Sequence, residues 1–162
     1  MRPVEAITTV ELFPGLSAAL LSLLRSLSPE DWERPTVCAS WSVKDVVAHL
    51  LDINIRKLSY GRDRLAQRKS DAPITSNEDL IDHINRQNAE WVAVAQRIGP
   101  KLLVEFLELT DREVYEFFKT LAPDGPARTA VAWAGDIQSP NWFDIAREYT
   151  LILSLRSLRP LR

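Results

Sequence analysis

The residues best suited to chemistry gather around one helix start. His49 lies in the stretch Trp41 to Tyr60, WSVKDVVAHLLDINIRKLSY, one turn after Asp45 and one turn before Ile53. Its imidazole therefore projects along the edge of the apolar face formed by Val43, Val46, Val47, Leu50, Leu51 and Leu58. Two readings are open to such a residue: an imidazole satisfied by one hydrogen bond at the core boundary, or a ligand. A lone imidazole is not a metal site, which takes three or four ligands. Cys38 precedes the same helix and has no histidine near it in sequence, so a thiol packed near Trp41 is expected rather than a nucleophile. His83, between Asp82 and Ile84, falls off its helix's apolar stripe and is expected in solvent. The basic run Arg62, Arg64, Arg68 and Lys69 reads as a solvated helix end, not as a nucleic-acid surface.

The elements that must position these groups are helical. Ser42 with Asp45 three residues on can form a reciprocal cap, and the helix it opens is expected to run past Tyr60 to near Lys69. An earlier helix spans about Glu11 to Leu27, with Pro14 in its first turn, where no intrahelical amide is lost. Ser28 to Asp31 can cap a short turn carrying Trp32. Ser76 with Asp79 opens a further helix through Ile98, whose stripe reads Leu80, Ile81, Ile84, Asn88, Trp91, Val92, Ala95 and Ile98. Asn88 interrupts that stripe and must be hydrogen-bonded, either as a clamp to neighbouring backbone or as a polar contact lining a cavity; the clamp is the expectation. Gly99-Pro100 breaks the chain before the pattern resumes from Lys101 to Leu121. Ala122 to Pro140 lacks helical period and reads as a long crossover containing Trp133. A last helix starts at Pro140-Asn141-Trp142. Four main helices, one long crossover before the last, and few strand signals argue an all-α four-helix bundle.

The 162 residues are the size of one domain, and 46% hydrophobic with 26% charged residues is ordinary for a globular chain. A net charge of -2 with interspersed signs argues against a general nucleic-acid partner. A single cysteine rules out an internal disulfide and fits a reducing cytoplasm. No apolar run reaches signal-peptide or membrane-spanning length, so no membrane partner is expected.

Four separated stretches carry a resemblance: PTVCASWSVKDVVAHLLD, LSPEDWERPT, INRQNAEWVAVAQRI and VAWAGDIQSPNWFDIAREYT. Together they resemble the DinB-like superfamily, and more closely the N-terminal, metal-binding domain of mycothiol-dependent maleylpyruvate isomerases, over about Leu12 to Thr150. The resemblance implies a four-helix bundle with a divalent metal, zinc or nickel, at one end. It implies His49 as one ligand, and a carboxylate or histidine followed one turn later by a histidine on the final helix. The metal would lower the pKa of a thiolate cofactor, mycothiol or a related thiol, for attack on a small-molecule electrophile. This chain has no histidine after His83, and one turn past Glu148 stand Leu151 and Ile152. His49 plus Glu148, with Asp52 or Asp144, would make a weak, oxygen-rich site, so tight zinc binding is not expected.

Ten of the twelve residues from Leu151 to Arg162 are Leu, Ser or Arg, the amino acids with the most codons. A shifted or truncated gene is one explanation; the other is a genuine helix end with Arg156, Arg159 and Arg162 opposing its negative terminus. The expected organisation is thus a single domain, family-like over 12–150 and atypical over 151–162, too short to hold the further C-terminal domain of full-length isomerases. Two functions follow. One is a divalent-metal-binding, thiol-dependent isomerase- or transferase-type domain with an incomplete site. The other is a non-catalytic bundle serving as an interaction or homodimerisation module through Leu151, Leu153, Leu155 and Leu158.

Overall fold

The structure, a computed structural model, describes residues 6–38, 40–66, 73–127 and 139–155, without the side chains of 151–155. It is an all-α bundle, as the sequence patterns lead one to expect; among the described residues it has five helices of 13 to 20 residues, one more than the four main helices expected, and one short helix. A 3-10 turn, Val10–Leu12, leads into α1, Phe13–Arg25, with Pro14 inside the first turn. The short helix α2, Pro29–Trp32, is closed by a reciprocal Ser28–Asp31 cap and buries Trp32. The chain then turns back on itself, and an antiparallel bridge between Pro35 and Ser42 sets the entry of α3, Val43–Arg56. Ser42 and Asp45 cap α3 reciprocally, and Asp45 also accepts a hydrogen bond from Gln96 Nε2.

Beyond Arg56 the same helix widens into a π turn, Lys57–Arg62, and stops at Asp63, well short of the expected Lys69. Gly61 weakens the helix near this end, and a Cβ there would stand 3.0 Å from the Phe117 ring, so a larger residue would need that ring to shift.

Helix α4, Asn77–Ala95, carries the reciprocal Ser76–Asp79 cap and leans on α3, to which Trp91 Nε1 donates at the Ala48 carbonyl, 2.7 Å away. Only Val92 and Ala95 of α4 are buried, and Ile81, expected on the buried stripe, is 57% exposed. Helix α5, Pro100–Lys119, lies against both α1 and α3. Its Leu103 and Leu107 join Leu20, Leu24, Val47 and Leu51 in the main core. A second cluster, Phe13, Leu58, Val114, Phe118 and Ile145, fastens the last helix, α6, Asn141–Leu155, to the rest.

The ends of the crossover are pinned. Ala127 N donates to the Ser139 carbonyl at 2.7 Å, and buried Asn141 donates from Nδ2 to the Ala122 carbonyl at 2.9 Å. The middle of the crossover with Trp133, Arg68 and Lys69 of the basic run, and the side chains of Leu151, Leu153, Leu155 and Leu158 lie outside the described residues. Among the described residues no helix is long and apolar enough to cross a membrane.

Candidate functional site

His49, Asp52 and Arg56 recur at three- and four-residue steps along α3, so they form one stripe, and Lys57, the first residue of the π extension, stands beside it. Across from it, Asp144 and Glu148 stand one turn apart on α6 and share a face. Lys57 joins the two elements. Its Nζ donates to Asp144 Oδ2 at 3.1 Å and to Glu148 Oε1 at 3.0 Å, and the lysine side chain keeps only 15% of its exposure. Arg147 adds a contact to Asp144 Oδ1 at 3.1 Å. The ammonium also stands over the Phe118 ring, 5.8 Å from its centroid.

Asp52 is spoken for in its turn. It pairs with Arg56, whose other contact is Asn88 Oδ1 at 3.1 Å. Asn88 therefore holds a guanidinium on α3, and the expected clamp to backbone is replaced by a side-chain contact. An amide carbonyl on a half-buried helix face is a natural acceptor for a cation that cannot lose its proton.

His49 sits above this ion-pair row. Its ring meets Trp41 edge-on, with centroids 5.1 Å apart. Nδ1 is buried and, among the described residues, has no hydrogen-bond partner. Burial pushes the imidazole pKa below its ordinary value; Asp52 and Glu148 act upward against this, and Arg56 acts downward. The ring is thus neutral at neutral pH.

Further into the bundle, Asp111 on α5 accepts from Ser17 Oγ on α1 and from Asn54 Nδ2 on α3, the latter at 2.7 Å. Asn54 and Asp111, with Ile53, Lys57, Phe118 and Glu148, border a cavity of about 20 Å³, room for about one water. Burial raises the Asp111 pKa, and the two hydrogen bonds only partly oppose it. A raised folded-state pKa means stability that is complete below the unfolded carboxylate pKa and is lost as pH rises through the folded one. Asp111→Asn keeps an acceptor for Asn54, and its urea midpoint should fall less than that of the wild type between pH 4 and pH 7. Equal falls would remove Asp111 as a source of the pH dependence.

Two expectations about lone groups change. Cys38 is exposed rather than packed near Trp41. The turn from Thr36 to Trp41 holds its backbone, with Trp41 N donating to the Cys38 carbonyl at 3.0 Å, and points the side chain outward. His83 is half-buried rather than solvated. Arg62 is engaged by Asp63 and Glu113 at 2.7 and 2.9 Å, which leaves little of a basic patch among the described residues.

A family model described as the mycothiol maleylpyruvate isomerase N-terminal domain matches residues 13–149. The chain belongs to this maleylpyruvate isomerase N-terminal domain family. Within the DinB-like superfamily, its match runs from the first residue of α1 into α6 and takes in His49, Lys57, Asp144 and Glu148. No curated protein and no solved structure matches the chain.

The resemblance implies a divalent metal, and the residues can be tested against one. The open Nδ1 of His49 is the kind of atom a ligand would satisfy. The carboxylates, however, are turned to Lys57 and Arg147, and among the described residues no group of three or more His, Cys, Asp or Glu comes together as donors. A cation-binding pair already holding an ammonium does not fit a resident metal. Sequence reasoning named His49, Glu148, Asp144 and Asp52 but passed over Lys57. The one-turn spacing of Asp144 and Glu148, and of Ile53 and Lys57 after His49, was the signal available for it.

Proposed function

We propose that this maleylpyruvate isomerase-type bundle is a thiol-dependent isomerase- or transferase-type domain that keeps His49 and Glu148 of a divalent-metal site without a complete ligand set. The observation that supports it is the buried Nδ1 of His49, without a partner among the described residues and within the electrostatic influence of Asp52 and of Glu148 on α6. An unpartnered buried nitrogen costs free energy, so it favours a ligand that satisfies it. Mycothiol or a related thiol and a small electrophile are the partners that family membership suggests.

Calorimetric titration of zinc and nickel into the purified chain, beside a His49→Ala control, tests the incomplete site. The expected result is no submicromolar binding in either protein. Submicromolar binding that disappears in the control would mean that further ligands complete the site.

A second reading, a non-catalytic interaction module, is favoured by Leu102, Phe106 and Leu109, which line one side of α5 and are 43%, 41% and 49% exposed. A dimer in sedimentation at micromolar concentration would speak for it.

A further inference from the structure

We propose that Lys57 is the resident cation of this site, an internal ammonium that occupies the two α6 carboxylates and so keeps a divalent metal from assembling with His49. The inference rests on the reading of the site as an incomplete metal centre and supplies its cause.

The argument starts from charge. Asp144 and Glu148, one turn apart and only 11% and 13% exposed in their side chains, are a pair of anions removed from water. Such a pair needs a compensating cation at close range, or one member must take up a proton. Either a metal dication or fixed ammonium and guanidinium groups can meet that need. In this chain the compensation is covalently built in: Nζ lies 3.1 and 3.0 Å from the two carboxylates, and Arg147 lies 3.1 Å from the first and 3.7 Å from the second.

Lys57 follows His49 by two turns of the same helix, and its Cα–Cβ bond tilts toward the N-terminus of that helix, the direction in which His49 lies. Glu148 links the two, binding the ammonium while its charge also acts on the imidazole. A metal drawing on His49, Asp144 and Glu148 would have to displace the ammonium and leave it buried beside a dication. The repulsion between them opposes any such site. Phe118 reinforces the preference, since a ring face under Nζ stabilises a cation there.

Zinc chloride titrated into the full chain, Lys57→Ala and Lys57→Ala/His49→Ala, with thermal midpoints recorded with and without metal, tests the substitution. Lys57→Ala is expected to bind zinc at least about 100-fold more tightly than the wild type. Zinc should raise its midpoint, and the double variant should lose the gain. Equal affinities in wild type and Lys57→Ala would overturn the inference, and so would a gain that persists in the double variant. If Lys57→Ala is unfolded, Lys57→Gln, which retains one amide donor for a carboxylate, takes its place. Tighter zinc binding with a raised midpoint again supports the inference, and no response to zinc overturns it. The two readings fail separately: submicromolar wild-type binding lost in His49→Ala defeats the incomplete site, whereas an unresponsive lysine variant defeats the ammonium's role alone.

Discussion

Lys57→Met should lower the unfolding free energy by about 3 kcal/mol at neutral pH, at the lower end of what removing one member of a buried ion pair costs. The loss is large because Asp144 and Glu148 keep 11% and 13% of their side-chain exposure and cannot be rehydrated without opening α6. It stays at the lower end because Arg147 remains 3.1 Å from Asp144. Methionine preserves the length of the stem and its packing toward Phe118, so the measured change isolates charge from shape. Urea denaturation of the wild type, Lys57→Met and Lys57→Met/Asp144→Asn/Glu148→Gln provides the check. Neutral amides need no counter-charge, and the triple variant should recover most of the loss. If it is as unstable as the single variant, packing and not charge is what Lys57 contributes.

Phe118→Ala should cost about 3–5 kcal/mol. The ring is 2% exposed and meets Phe13 edge-on with centroids 5.3 Å apart, an arrangement that adds to its area burial. It belongs to the cluster through which α6 is fastened, so the loss should be uneven across the molecule. Hydrogen exchange should show amides in 145–150 losing protection by a larger factor than those in 47–51, which lie in the main core among Leu20, Leu24 and Leu103. Uniform loss across both segments would mean that the two clusters unfold as one unit and that α6 is no more weakly held than α3. Since a domain of this kind retains about 5–15 kcal/mol in all, either substitution consumes a large share of it.

The legible parts of this chain are those whose partners lie within one helical turn. The reciprocal caps at Ser42 and Asp45, and at Ser76 and Asp79, were readable because a hydroxyl and a carboxylate three residues apart meet as soon as the helix forms. The short helix carrying Trp32 and the placement of Pro14 in a first turn follow from equally local chemistry. Apolar period located the buried face of α3, but it overstated that of α4 and misplaced part of that of α5, where Leu102, Phe106 and Leu109 fit a helical pattern and are exposed while Val104 and Leu107 are buried. Ile81 satisfies the period and is still exposed, because burial requires a neighbouring helix and period cannot supply one.

Polar partners were the harder matter. Asn88 was readable as a group needing a hydrogen bond, yet its partner, Arg56, stands on another helix. Cys38 was expected beside Trp41 because the two are near in sequence; the turn between Thr36 and Trp41 sends its side chain outward instead.

The helices, their capped starts, the all-α class and the family are thus legible along the chain, since each depends on hydrogen bonds and apolar spacing within a few residues or on motifs kept in order. The sequence also placed His49 on the edge of a buried face and named Glu148. What those groups face depends on how the helices pack. Lys57 reaches acceptors 87 and 91 residues away, and Asp111 is held by residues of two other helices. A charge's partner is chosen by packing, because attraction falls with distance and rises as water is excluded, and neither quantity exists until the helices have come together.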